Sequence, residues 1–298
     1  MQIANRLEEI TPSLTLAIDS KAKALRAQGV DVCGFGAGEP DMDTPEHIKA
    51  AAAKALAEGF TKYTPSSGTP ELRQAISDKF AADNGLEYKP GQVVVSTGAK
   101  QSCYNAIMAV CDPGDEVIIP APYWLSYPEM VRLAGAEPVM VPTTAAADWK
   151  ITAKQFEEAM SPRTKMIVIN TPGNPTGSVY TKEELRAISE VAAEEDIYIL
   201  SDEIYEKLVY DDASHVSIAS LTPEAYDLTI TVNGFSKAYA MTGWRLGYLG
   251  APEPLAKAVD SLQSHSTSNP CSFAQAGGLA ALTGDQQCVA DMREEFDI

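Results

Sequence analysis

Histidine is scarce in this chain. Only His47, His215 and His265 occur among 298 residues, far apart, so a histidine metal site is not expected. Cysteine is nearly as thin, and Cys33, Cys103, Cys111, Cys271 and Cys288 show no short paired spacing. An odd, scattered set reads as reduced thiols rather than a disulfide framework, which fits a cytoplasmic location. Basic residues are outnumbered, 23 Lys and Arg against 41 Asp and Glu, for a formal charge of -18. With no basic run to offset it, this charge argues against nucleic acid and anionic membranes as partners. No apolar run is long enough to cross a bilayer, and the opening MQIANRLEEI lacks the apolar centre of a signal peptide. Internal repeats, low-complexity tracts and linkers are absent too.

What is present is enough apolar residue, 45% of the chain, for a large core. Strand-like runs at Val93, Glu116, Pro138, Met166, Ile197, Thr229 and Leu246 alternate with helical stretches. This pattern predicts an α/β fold with a mainly parallel sheet and helices on both faces. Helix starts are marked as well. Thr44-Pro45 and Thr69-Pro70 each place a capping hydroxyl before a proline, while Thr152 with Gln155 and Thr181 with Glu184 have capping-box spacing.

The most informative segment is Thr229 to Gly250, TITVNGFSKAYAMTGWRLGYLG. Its β-rich start delivers Lys237 to a strand's carboxyl end, where open α/β sheets hold ligands, and Arg245 follows. A lysine amine condenses with an aldehyde and an arginine fork fits a phosphate dianion, so the pair suits pyridoxal phosphate. Taken alone, Lys237 reads better as a solvated loop lysine. Three further motifs lie upstream. Asp202 ends the run IYILS-D, placing a carboxylate where it can pair with a protonated pyridine nitrogen, and Tyr205 offers a phenol to the ring's 3-oxygen. The loop NTPGNPTG, Asn170 to Gly177, offers the Asn174 amide to the same oxygen. Finally VVVS, Val93 to Ser96, leads into Gly98-Ala99-Lys100 at a helix start, where free amides receive a phosphate. Each motif is common in isolation. Their joint placement at strand ends is what carries the reading.

With these motifs in series, together with PSLTLAID, AGEPDMDTPEHI, YTPSSGTPELR and DPGDEVIIPAPYW, the chain resembles the class I/II aminotransferases. These belong to the fold-type I pyridoxal phosphate enzymes, and the likeness is strongest to bacterial-type aspartate aminotransferases. The resemblance implies a three-layer fold with a seven-stranded, mainly parallel sheet and a small domain that is incomplete here. It further implies an N-terminal arm over residues 1–45, a large cofactor domain over 46–285, and the start of a C-terminal small domain over 286–298. By the same resemblance Lys237 is the lysine that bonds the cofactor, Asp202 its pyridine partner, and Tyr205 and Asn174 the ligands of its ring oxygen. Ser236, Arg245, Gly98, Ala99 and Lys100 hold the phosphate, Trp124 stacks on the ring, and Gly38 meets the substrate carboxylate together with Trp124 and Asn174. Tyr63 reaches the phosphate of a neighbouring subunit, which implies a homodimer with shared active sites. Thr15 and Lys100 meet a substrate side-chain carboxylate.

The implied reaction is transamination between an acidic L-amino acid and a 2-oxo acid: L-aspartate with 2-oxoglutarate, giving oxaloacetate and L-glutamate. Prephenate as acceptor, or an aromatic or broad specificity, remain alternatives. Family members continue for roughly a further quarter of their length, a part that carries the arginine for the substrate's α-carboxylate, and no arginine here is assigned that role. A cofactor-binding module without turnover is therefore a second class of reading. Gly234-Phe235-Ser236-Lys237-Ala238 also approximates a hydrolase nucleophile elbow, but its last position is alanine and His265 is the only downstream base.

Overall fold

Alternation within the apolar runs decides the layering. A computed structural model describes residues 3–8, 10–36 and 38–298, and all seven expected runs form strands within one sheet. They are β1 (Val93–Ser96), β2 (Glu116–Ala121), β3 (Glu137–Pro142), β4 (Thr164–Asn170), β5 (Tyr198–Asp202), β6 (Thr229–Gly234) and β7 (Gly247–Gly250), in the order β1-β7-β6-β5-β4-β2-β3. Strand β7 alone runs against the direction of the other six, antiparallel to both β1 and β6. The helices are α1 (Leu14–Ala27), α2 (Glu46–Ala57), α3 (Pro70–Lys79), α4 (Ala99–Val110), α5 (Ser126–Leu133), α6 (Ala153–Ala159), α7 (Lys182–Glu194), α8 (Pro223–Leu228), α9 (Glu253–Ser264), α10 (Ser272–Thr283) and α11 (Gln287–Phe296).

Successive strand residues point to opposite faces, and the core follows that rule. Val117 and Ile119 of β2, Met166 and Val168 of β4, and Leu200 of β5 pack on one face with Cys103 and Ile107 of α4 and Val131 of α5. Ile118, Ile167 and Ile199 point the other way, onto Leu185 and Ile188 of α7. Further along the same face Val93, Val95 and Tyr248 meet α2, α3 and α10 through Ile48, Leu72, Ile76 and Ala281. Val289 of α11 joins this cluster as well. Strand β3, with only one neighbour, carries Pro138 and Pro142 and is largely open, as befits an edge strand.

All four expected helix starts are found, and three of them carry the expected cap. Thr152 with Gln155 and Thr181 with Glu184 form capping boxes, and Thr69 caps α3 with Pro70 in the first turn. Thr44 is the exception. Its hydroxyl donates to the Ala240 carbonyl at 2.7 Å and accepts from Trp244 Nε1 at 3.1 Å, so it is spent on a tertiary contact and Pro45 stands at the N-cap instead. Helix α1 has no buried residue, and Leu14, Leu16 and Ile18 are all more than half exposed. No helix among the described residues is long and apolar enough to cross a membrane.

Candidate active site

The parallel strands end on one edge, and because β7 runs the opposite way, Arg245 just before it arrives at that same edge. The turn after β6 is shaped by what it buries. Phe235, Ala238 and Tyr239 sink into the core, leaving half-buried Lys237 as the turn's polar side chain on the cleft. Its Nζ donates to the Gly38 carbonyl and lies 5.5 Å from the Tyr205 ring centre. Burial lowers its pKa, and Arg245 adds to that, against the pull of Glu39 and Asp202. More of the amine is neutral at a given pH as a result, which is the nucleophilic form.

Asp202 closes β5 and is 4% exposed. Its Oδ2 accepts from Tyr127 at 2.7 Å and from Cys103 Sγ at 3.6 Å, and its Oδ1 from the Ile204 amide at 3.2 Å. Burial raises its pKa, and the Tyr127 hydrogen bond opposes that rise. It makes no salt bridge among the described residues, so a buried carboxylate stands here with only neutral donors. Tyr205 comes one turn later and accepts from Asn174 Nδ2 at 3.3 Å. The Asn174 loop is tied down by Asn170, which accepts from the Asn174 amide at 2.7 Å and donates to the Asp202 carbonyl at 2.9 Å.

The turn holding Tyr205 rests on a buried polar cluster. Asn84 donates to both Glu203 and Glu206, at 3.2 and 2.7 Å, His215 pairs with Glu203 at 2.9 Å, and Lys79 pairs with Glu206. Glu203, Glu206 and His215 are the one group of metal-ligand spacing among the described residues. Lys79 and Asn84 already occupy their oxygens.

Arg245 meets the start of α4 because two glycines let it. Gly98 has φ +88°, and a Cβ there would lie 2.4 Å from Arg245 Nη2. A Cβ on Gly247 would fall 2.2 Å from the Ala99 nitrogen. As the first residues of α4, Ala99 and Lys100 have amides with no partner inside the helix. Lys100, Lys237 and Arg245 form no salt bridge among the described residues, and burial together with Arg245 lowers the pKa of both lysines. Lys100 and Lys237 each feel the Arg245 charge, and this concentration of cations beside a helix start suits an anion. Lys100 also sits 4.9 Å from the Trp124 ring centre, and buried Ser236 opens the Lys237 turn.

Pyridoxal phosphate fits these observations. The cation group and the α4 amides would hold its phosphate, Asp202 would gain the cationic partner it lacks, and Asn174 with Tyr205 would meet the ring oxygen. When bound, the cofactor supplies an aldehyde and a ring that withdraws electrons. A cleft of about 800 Å3 lined by Gly38, Asn174, Tyr205 and Lys237 leaves room for a substrate beside it.

Two expected residues stand apart. Tyr63 is 91% exposed on the loop before α3, held outward where Ser272 and Gln275 of α10 bond the Phe60 carbonyl and the Thr69 amide. Thr15, in the first turn of α1, makes no side-chain hydrogen bond with Lys100 among the described residues. No hydrogen bond joins His265, which is exposed, to Ser236, so the hydrolase reading has no base. Tyr127 and Cys103 were not singled out from sequence as partners of Asp202. The one signal available for Tyr127 was its position three residues after Trp124, at the start of an amphipathic helix.

Residues 30–297 match the family described as aminotransferase class I and II. Aspartate aminotransferase of Geobacillus stearothermophilus is 53% identical over 297 residues, covering 100% of this chain and 76% of that protein. An aspartate/prephenate aminotransferase of Cereibacter sphaeroides is 52% identical over 295 residues, covering 99% and 74%. Among solved structures, the aspartate aminotransferase from Thermus thermophilus with maleate gives a TM-score of 0.95 at 47% identity, over 99% of this chain and 76% of that one. An aromatic aminotransferase from Pyrococcus horikoshii gives 0.87 at 41% identity, over 92% and 74%. Sequence, fold and site geometry agree: this chain belongs to the class I and II aminotransferases, enzymes that work with pyridoxal phosphate.

Proposed function

We propose that the protein transaminates acidic L-amino acids, with L-aspartate and 2-oxoglutarate as the substrate pair. The observation that carries this is Lys100. Its ammonium is held against Trp124 beside the cation group, with no carboxylate among the described residues in a salt bridge with it. A purely alkyl or aromatic pocket has no use for that charge. Relatives named for aspartate support the choice.

In this reading Lys237 Nζ would hold the cofactor and, once the incoming amino group has displaced it, its free amine would move the proton of the substrate's α-carbon within the site. Its lowered pKa serves that role, because a base must be unprotonated to act. Asp202 keeps the pyridine nitrogen charged by pairing with it, Asn174 and Tyr205 fix the ring oxygen, and Arg245, Ser236 and the Gly98–Lys100 turn hold the phosphate. Gly38 lies beside Lys237 on the substrate side. Exposed Tyr63 completes the phosphate site of a second copy in a homodimer, and the enzyme is cytoplasmic. Thr15 assists Lys100 on the side-chain carboxylate. Residues 46–285 form the cofactor domain, flanked by the arm 1–45 and by 286–298 as the start of a small domain.

Relatives named for both aspartate and prephenate favour a second reading in which prephenate accepts the amino group. The test is a two-by-two assay of cofactor-loaded protein, with aspartate or phenylalanine as donor and 2-oxoglutarate or prephenate as acceptor. Aspartate with 2-oxoglutarate should be fastest. Preference for phenylalanine would overturn the acidic reading, and preference for prephenate would select the second.

A further inference from the structure

Asp202 faces an unusual set of neighbours. A carboxylate buried this deeply holds its charge only if something compensates, yet no cation among the described residues bonds it. The groups facing it are Cys103 from α4, Tyr127 from α5, Glu203 just past the end of β5, Tyr205 in the following turn and Lys237 from the turn after β6. Glu203 works against ionisation, and Lys237 acts only at a distance. The three direct donors are neutral, and the Tyr127 hydroxyl, at 2.7 Å, is the shortest. Charge-assisted hydrogen bonds of this length are the strong ones.

We infer that Tyr127 is a positioning residue whose hydroxyl holds the Asp202 carboxylate charged and ready before the cofactor arrives. This rests on the reading of Asp202 as partner of the pyridine nitrogen. Tyr127 is built for the task. It is 1% exposed, its hydroxyl bonds Asp202 Oδ2, and its ring is fixed edge-on to Trp124 at 5.1 Å and 86°. Cys103, Met130 and Val131 pack in the same cluster. Burial and the neighbouring charge push the phenol well above its ordinary range, so it keeps the proton that it donates. The Cys103 thiol behaves likewise but bonds from 3.6 Å, as a weaker donor. One short helix start thereby brings both the Trp124 face and the donor that sets the charge of the pyridine partner.

The experiment is an absorbance titration of pyridoxal phosphate into the full chain and its Tyr127→Phe and Cys103→Ala variants, from acid to alkaline pH. In the parent, affinity should fall as Asp202 takes a proton on the acid side. Loss of the tyrosine donor should move that midpoint upward by about one to two pH units, as expected for a hydrogen bond to a charged group. Cys103→Ala should move it less. A midpoint in Tyr127→Phe equal to the parent's, or an affinity loss that is uniform across pH, would overturn the inference and leave Tyr127 a packing residue. Failure of the parent itself to bind the cofactor would instead refute the reading of the site. Because Phe keeps the ring, the variant should fold. A carboxyl-carbon NMR titration of the cofactor-free parent supplies an independent arm: Asp202 should be ionised at neutral pH, and a protonated Asp202 there would equally overturn the inference.

Discussion

Gly98 is a tight point of the proposed phosphate site, and replacing it by alanine perturbs two things that can be measured separately. The first is backbone. At φ +88° and ψ 157° only glycine is comfortable, and a side chain held there costs about 1–3 kcal/mol. This should appear in unfolding of the cofactor-free protein. The second is Arg245. The new Cβ would lie 2.4 Å from Nη2, 3.0 Å from Cζ and 3.3 Å from Nη1. Since the obstacle is the far end of a flexible side chain, the guanidinium moves rather than the sheet. One lost charge-assisted hydrogen bond to the phosphate is worth about 1.5–3 kcal/mol, or about one to two powers of ten in cofactor affinity. Equilibrium titration of Gly98→Ala, Arg245→Ala and the double variant closes a cycle. If Gly98→Ala acts through Arg245, the double variant binds no more weakly than Arg245→Ala alone. Gly91→Ala, with open space around it and ordinary φ, is the control and should change nothing. Parent-like affinity in Gly98→Ala, or fully additive losses in the cycle, would refute the reasoning.

Asp202→Ala should retain some cofactor yet lose at least about two orders of magnitude in turnover, since charge developing on the substrate loses its sink; near-parent turnover would make Asp202 structural. Lys100→Ala should cost acidic substrates about one to two powers of ten in kcat/KM and uncharged ones only a few-fold, as for one charge-assisted hydrogen bond. Equal losses for all substrates would assign Lys100 to the cofactor phosphate. Burial alone would lower the pKa of His215, but the Glu203 charge and hydrogen bond overcome it and the net shift is upward. The stabilisation this gives is full below the unfolded value of about 6.5 and fades as pH rises through the higher folded value. Urea unfolding of His215→Gln should lose that slope in the window above about 6.5, and an unchanged slope would remove His215 as its source.

Much of this was legible because sheets obey a period of two and ligands gather where parallel strands end. Met166, Ile167, Val168 and Ile169 announce a strand buried on both faces, and Asp202, Asn174, Gly98 and Lys237 each follow a strand closely enough that sheet formation alone brings them together. The antiparallel course of β7, which places Arg245 at the same edge, follows from pairing rather than from any local signal. Thr44 carried a sound capping pattern, but Ala240 and Trp244, some two hundred residues away, claimed its hydroxyl. Tyr127 was hidden for a similar reason. A buried tyrosine on an amphipathic helix reads as core, and only the folded chain, which brings α5 and the end of β5 together from 75 residues apart, shows its hydroxyl on Asp202. Pairing of Asn84, Lys79 and His215 with Glu203 and Glu206 is equally long-range, so sequence spacing could not reveal it.

The central claim is that Lys237 is the residue that carries the cofactor. Loading the protein with pyridoxal phosphate, reducing with borohydride and mapping the peptides should place one phosphopyridoxyl group on Lys237. Lys100 shares its lowered pKa, but the place of Lys237 between Gly38 and Tyr205 favours it. A label on Lys100 or elsewhere, or none after loading, would contradict the account.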